Sequence, residues 1–186
     1  AHRIAAIRET LEETGLALGL SGAIDAESAA AARKLALQEG ALAPVLDRFG
    51  WKIDAQALVP FARWLPLGLA HDRIFDTRFY LADLGTGAVD VAVDETENTR
   101  LFWTSAKGAL AMADEGEISV IFPTRRNLER LAQFASYEKA RAHALATPVR
   151  TIIPQIDESG PQPMLRIPED AGYPVIEEAF GSAQRG

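Results

Sequence analysis

An α+β domain, with helices covering a mixed sheet, is the fold class that the chain predicts. Three observations predict it. Residues 1 to 58 repeat apolar side chains at helical spacing and punctuate them with Gly15, Gly40 and Gly50. From Val59 the pattern changes to short runs rich in Phe, Tyr, Val and Thr, bounded by Pro and Gly. Further helical patterns then alternate with strand candidates to about residue 156. At 186 residues and 48% hydrophobic composition the chain can bury a real core as one domain.

The first element is a helix over residues 4–14. Ile4, Ile7 and Leu11 fall on one narrow stripe, at i, i+3 and i+7. Glu9, Glu12 and Glu13 fall together on roughly the opposite side, with Arg8 one turn before Glu12. Gly15 is placed as a left-handed C-cap, and Leu16 closes the end hydrophobically. Residues 17–58 read as a helical insertion. "DAESAAAARKLALQEG" has Asp25 or Ser28 as a cap and Gly40 as a stop, and "ALAPVLDRFGWKIDAQAL" is a short helix, a turn at Gly50 and a further helical turn. Its Ala-rich face is expected to cover the active site or to mediate dimerisation.

Strands follow. "PFARWLPL" lies between Pro60 and Pro66, and "RIFDTRFYLADLG" is a long strand candidate ending at the turn "GTG". "VDVAVD" and "TRLFWTS" read as two more strands around the acidic loop "DETENT". "AKGALAMADEG" is a helix stopped by Gly116, "EISVIF" a strand, and "PTRRNLERLAQF" a helix with Pro123 in its first turn. "SYEKARAHALA" is another helix, "VRTIIPQI" a strand, and the Pro-rich "GPQPMLRIPEDAGYPVIEEAF" a tail that wraps the surface. The expected organisation is one domain over 1–186: opening helix 1–16, insertion 17–58, remaining strands and helices 59–175, and tail 176–186.

Composition excludes several function classes. A net charge of −7 argues against broad electrostatic binding to nucleic acid or to an anionic membrane. No run of 18 apolar residues is present, so no transmembrane helix is expected. The first residues lack signal-peptide anatomy because Arg3, Arg8 and Glu9 interrupt them, which makes cytoplasmic the default location. There is no cysteine, and His2, His71 and His143 are far apart, so any metal here is expected to be held by oxygen.

The acidic face of the opening helix has two readings. Like charges three and four residues apart repel by a few tenths of a kcal/mol per pair, so the face is either merely solvated or a multidentate site for hard divalent cations. Periodicity does not choose between them.

The string "RETLEETGL" does choose. It resembles the second half of the Nudix hydrolase signature, Gx5Ex7REUxEExGU, at Arg8, Glu9, Glu12, Glu13, Gly15 and Leu16. Thr10 departs from the pattern where a bulky apolar residue is usual. Counting back, the glutamate of Gx5E falls one place before Ala1, so the sequence begins inside the signature, and more chain is expected upstream. "RWLPL…RIFDTRFYLA", "DETENTRLFW" and "IFPTRRNLERLA" extend the likeness towards a coenzyme A diphosphatase-like subgroup, although "WTSAKGAL" lacks the proline usual after Trp103.

The resemblance implies a Nudix-type α/β/α sandwich with the insertion after the signature helix. It implies a pyrophosphohydrolase dependent on Mg2+ or Mn2+. Glu9, Glu12 and Glu13 would share the metal, and Arg8 would fix a carboxylate through paired hydrogen bonds. For a further carboxylate, as metal ligand or general base, Glu97 is the choice over Glu95, Glu115 and Glu117. The implied substrate is a nucleoside diphosphate linked to another moiety: coenzyme A and its thioesters first, then ADP-ribose, NADH and other dinucleotides. A homodimer is consistent with the insertion, and neither nucleic acid nor membrane is an expected partner.

Other residues carry weaker expectations. Arg78 is read as a cross-strand ion pair before a phosphate contact. Trp51, Trp64 and Trp103 are read as core before base-stacking platforms. Arg125 and Arg126 are read as a solvent-facing basic pair before an anion site. Two alternatives to the hydrolase stand: a Nudix-fold module that binds a nucleotide or protein without turnover, and a helical interaction protein whose match is accidental.

Overall fold

The computed structural model describes residues 1–67, 74–84 and 102–183. These fall into two compact units: the described parts of Ala1–Val59 with Leu81–Phe102, and those of Pro60–Tyr80 with Trp103–Gly186.

The first unit is built on α1 (His2–Thr14), which buries Ile7 and Leu11 completely. Each burial contributes about 2 kcal/mol. Ile4 does not share it. At 42% exposure it shows that the apolar stripe is covered only from Ile7 onwards. Gly15 ends the helix at φ 78°, its N–H bonded to the Leu11 carbonyl at 3.0 Å. β1 (Leu20–Ser21) pairs antiparallel with β2 (Lys52–Ile53), Leu20 opposite Ile53. Between them run α2 (Ala26–Glu39) and α3 (Ala43–Phe49).

Asp25 and Ser28 cap α2 reciprocally, so both sequence candidates serve one capping box. Ala32 and Ala36, one turn apart and fully buried, mark the stripe of α2 that is covered as it packs on α1. Gly19 (φ 70°) admits no side chain: a Cβ there would lie 2.6 Å from Leu58 Cδ1 and 2.8 Å from Ile7 Cδ1.

The second unit holds a sheet of β3 (Val59–Trp64), β4 (Thr77–Leu81) and β5 (Thr151–Ile152), in the order β4–β3–β5. β3 and β5 run parallel, with Arg63 opposite Thr151 and Trp64 opposite Ile152. Residues pointing both ways from the central strand, Phe61, Ala62 and Trp64, are buried, as expected of a strand covered on both faces. The helices are α4 (Ala106–Asp114), α5 (Phe122–Leu131) and α6 (Tyr137–Ala146). An antiparallel meander follows, of β6 (Gln155–Asp157), β7 (Met164–Arg166) and β8 (Glu177–Ala179), and α7 (Phe180–Ala183) comes after it. Helices with sheets of both parallel and antiparallel pairing make the chain α+β. Among the described residues no helix is long and apolar enough to cross a membrane.

Trp64 is the centre of this unit's core. Phe122 and Tyr173 meet it edge-on, with ring centroids 5.8 and 5.7 Å away. Its indole N–H donates to the Tyr173 hydroxyl at 3.1 Å, and that hydroxyl donates to Asn127 Oδ1 at 2.7 Å.

Four expectations from the sequence are corrected. "EISVIF" forms no strand, because the amides of Glu117 and Ile118 turn back to the Met112 carbonyl at the end of α4. "VRTIIPQI" is two short strands in different sheets, β5 and β6, on either side of Ile153 and Pro154; proline cannot donate to a ladder. Among the described residues "RIFDTRFYLADLG" contributes Thr77–Leu81 alone, with Ile74 to Asp76 irregular. The tail is no surface wrap, since it supplies β7, β8 and the buried Leu165, Ile167, Ala171 and Tyr173. The strands expected over "VDVAVD" and the start of "TRLFWTS" lie outside the described residues.

Candidate functional site

The acidic face of α1 is organised by Arg8. Its Nη2 donates to Glu9 Oε1, its Nη1 donates to the Gly40 carbonyl at 3.0 Å, and its Nε lies 3.7 Å from Glu12 Oε2. The last is an ion pair too long for a hydrogen bond. The guanidinium therefore divides itself over two carboxylates and a main-chain carbonyl, where the sequence expected two bonds to one carboxylate. Its own pKa is raised, chiefly by the bond to Glu9.

Burial separates the acids. The Glu9 side chain is 48% exposed and that of Glu12 only 14%. Burial is the main cause that pushes the Glu12 carboxyl above its ordinary range; the nearby charge of Glu9 adds to this and Arg8 opposes it. Glu12 Oε1 is buried and has no hydrogen-bond partner among the described residues. An ionised oxygen in that position calls for a cation or a proton.

That orphaned oxygen is the observation by which the residues fit a divalent cation. They do not make a complete cage: among the described residues no three His, Asp or Glu side chains gather where they could hold a metal. Mg2+ does not need one, because it is commonly held by one or two carboxylates with water and substrate phosphate. Glu97 and Glu95 lie outside the described residues. Glu115 and Glu117 are exposed at the end of α4.

The end of α1 carries a residue that sequence reasoning missed. From α2, Arg33 donates through Nε to the Glu12 carbonyl at 2.9 Å and through Nη2 to the Glu13 carbonyl at 3.1 Å. The one available signal was its place beside the apolar stripe of an Ala-rich helix, where a long cation has no evident surface use. Arg33 also lines a cleft of about 1040 Å3 between the segment after α1 and α2, with Leu16, Leu18, Ala26, Ala30 and Leu37. A cleft of that volume suits a small organic ligand.

The other expected residues fall as follows. Arg63 of β3 reaches across to Asp76, its Nε and Nη2 each 2.8 Å from that carboxylate. Arg78 meets Asp76 at 3.1 Å from two residues along the same segment. Trp51 and Trp64 are core, at 4% and 1% exposure, whereas Trp103 is 60% exposed and so is not the core residue expected. The pair in "PTRR" is not solvent-facing. Arg126 is 3% exposed and bonded to Glu129 and Glu178 at 2.8 and 3.1 Å, and Arg125 holds Asp114 at 2.6 Å.

A further buried arginine, Arg130, is held by neutral partners among the described residues. Arg130 donates to the Phe61 carbonyl at 2.8 Å and to His143 Nε2 at 3.2 Å, with its guanidinium carbon 4.2 Å from the centre of the Phe61 ring. Burial lowers its pKa.

The chain is 30% identical over 157 residues to the acyl-coenzyme A diphosphatase NUDT19 of Gallus gallus. The match covers 73% of this chain and 42% of that protein. It supports a relationship at the level of the Nudix family and no finer. No family model and no solved structure matches the chain.

Proposed function

We propose that this protein is a Nudix pyrophosphohydrolase, dependent on Mg2+ or Mn2+, that cleaves the diphosphate of a nucleoside linked to another moiety. Coenzyme A and its acyl thioesters are the first candidates, because the relative named above is an acyl-coenzyme A diphosphatase. The observation that carries the reading is Glu12 Oε1, a buried carboxylate oxygen with no partner among the described residues, beside the arginine of a Nudix-like string.

In this reading Glu12 and Glu13 hold the cation and Glu9 shares it from the exposed side. A divalent ion held there would supply charge neutralisation for the diphosphate and lower the pKa of a water. Arg8 keeps Glu9 and Glu12 from repelling each other and ties their helix to Gly40. Glu97 accepts a proton from the water whose oxygen bonds to phosphorus as the anhydride oxygen leaves.

A second reading, a binding module without turnover, is favoured by the absence of a three-acid group among the described residues and by Arg8's occupation of Glu9. One experiment separates the two. The whole protein and its Glu12→Gln variant are assayed for phosphate release on coenzyme A, acyl-coenzyme A, ADP-ribose, NADH and diadenosine polyphosphates, with Mg2+ and with Mn2+. Metal-dependent turnover of one compound, lost in the variant, supports the hydrolase. Nucleotide binding by calorimetry with no turnover of any compound supports the binding module.

A further inference from the structure

We propose that Arg33 is a positioning residue for the acidic face, through which the helical insertion sets the geometry of Glu12 and Glu13. The inference rests on the reading that these two acids hold a divalent cation.

The last four carbonyls of a helix have no partner within it. In α1 the Leu11 carbonyl is taken by Gly15 N–H at 3.0 Å, and those of Glu12 and Glu13 by the two arms of the Arg33 guanidinium. Without that fork the turn carrying both carboxylates would end in two carbonyls left to water, and such turns fray. A shift in their main chain moves both side chains with it. Magnesium-type ions tolerate little displacement of their ligands.

The attachment is reciprocal. Arg8 of α1 donates to Gly40 at the end of α2, and Arg33 of α2 donates to the end of α1. Each helix thus satisfies carbonyls at the other's C-terminal end, and the two run antiparallel. The insertion is by this account an integral support of the acidic face. The positively charged guanidinium near a cation site also gives the proposal a sign. Loss of a positive charge alone would tighten cation binding, whereas loss of positioning weakens it.

The test uses the whole protein, with Arg33→Gln, Arg33→Lys and the neighbouring Lys34→Gln as a charge control, all checked for folding by circular dichroism. Mn2+ affinity is read by electron paramagnetic resonance of the free ion, and amide exchange at residues 12–16 is read without metal. The expected result is a Kd raised about 10-fold in Arg33→Gln, with faster exchange over 12–16 and no weakening in Lys34→Gln. Arg33→Lys keeps the charge but not the fork, and is expected to stay weakened. Affinity in Arg33→Gln or Arg33→Lys equal to or tighter than wild type would overturn the proposal. Failure of the wild type to bind Mn2+ at all would overturn the metal reading instead. Exchange would then decide the clamp: faster exchange in the variants keeps it, and unchanged exchange removes it too.

Discussion

Nε of Arg130 donates to Nε2 of His143 across 3.2 Å, joining α5 to α6 in the interior of the second unit. The bond requires a neutral imidazole with a free lone pair on Nε2. Burial and the charge of Arg130 both lower the His143 pKa from its ordinary 6.5. Phe134, Thr147 and Gly172 also lie beside the ring, and none of them brings a negative charge. A base whose folded pKa is depressed contributes stability that is present above the unfolded value and lost as pH falls below it. Denaturant titrations between pH 7.5 and 5 are expected to show stability falling below about pH 6.5. His143→Gln, whose amide oxygen still accepts from Arg130, should flatten that part of the profile. An unchanged slope in the variant would assign the pH dependence elsewhere.

Glu12 has the opposite sign. Its carboxyl is raised from an ordinary 4.5, so the folded protein binds the proton more tightly than the unfolded chain does. The stability it contributes is full below pH 4.5 and is lost as pH rises through the raised value. At pH 7 without metal, Glu12→Gln is therefore expected to melt at or above the wild-type temperature. Added Mn2+ should stabilise the wild type by about 1.4 kcal/mol per decade above Kd and leave the variant unmoved. Calorimetric melts with and without the ion measure both effects.

Tyr173 is both acceptor and donor in the chain Trp64–Tyr173–Asn127. Tyr173→Phe keeps the ring and leaves a buried indole N–H and a buried amide oxygen unpaired. A loss of about 2 kcal/mol is expected, near the cost of orphaned buried polar groups. Trp64→Phe combined with Tyr173→Phe should cost less than the two single changes added together. Urea titrations of the four proteins supply that cycle.

Gly19→Ala is expected to destabilise the first unit by about 2–4 kcal/mol. The left-handed backbone contributes about 1–2, and the overlap with Ile7 and Leu58 supplies the rest. Arg8→Lys should cost only about 1 kcal/mol, because a side chain one-third exposed is well screened and lysine retains one of the contacts. A larger loss for Arg8→Lys than for Gly19→Ala would contradict this ranking.

Local chemistry was legible in the sequence. The Gly15 cap, the capping of α2 by Asp25 and Ser28, and the stops at Gly40 and Gly50 are decided by a few neighbouring residues, and the chain shows them where expected. Pairing was less legible. Whether "EISVIF" becomes a strand depends on a partner elsewhere in the chain, and its amides found the end of α4 first. The same holds for charge. Arg126 reads as a surface cation, and Arg33 goes unremarked, because the groups they meet, Glu178 and the carbonyls of Glu12 and Glu13, lie tens of residues away. The string Arg8–Leu16 pointed to the acid cluster, but nothing in it showed that Glu12 is far more buried than Glu9; that follows from packing.

The parallel pairing of β3 with β5 also orders events during synthesis. Trp64 and Ile152 sit side by side, and Leu65 N–H reaches the Ile152 carbonyl at 2.9 Å, yet α4, α5 and α6 all separate them in the chain. As the polypeptide leaves the ribosome, β3 emerges long before its neighbour exists, with Phe61 and Trp64 uncovered. The α1–α2 clasp, by contrast, joins residues close in sequence and can close early. The nascent chain thus carries a closed α1–α2 pair while its central strand, beside β4, still waits for its second neighbour. That interval is when a chaperone would find it and when an aggregate would begin.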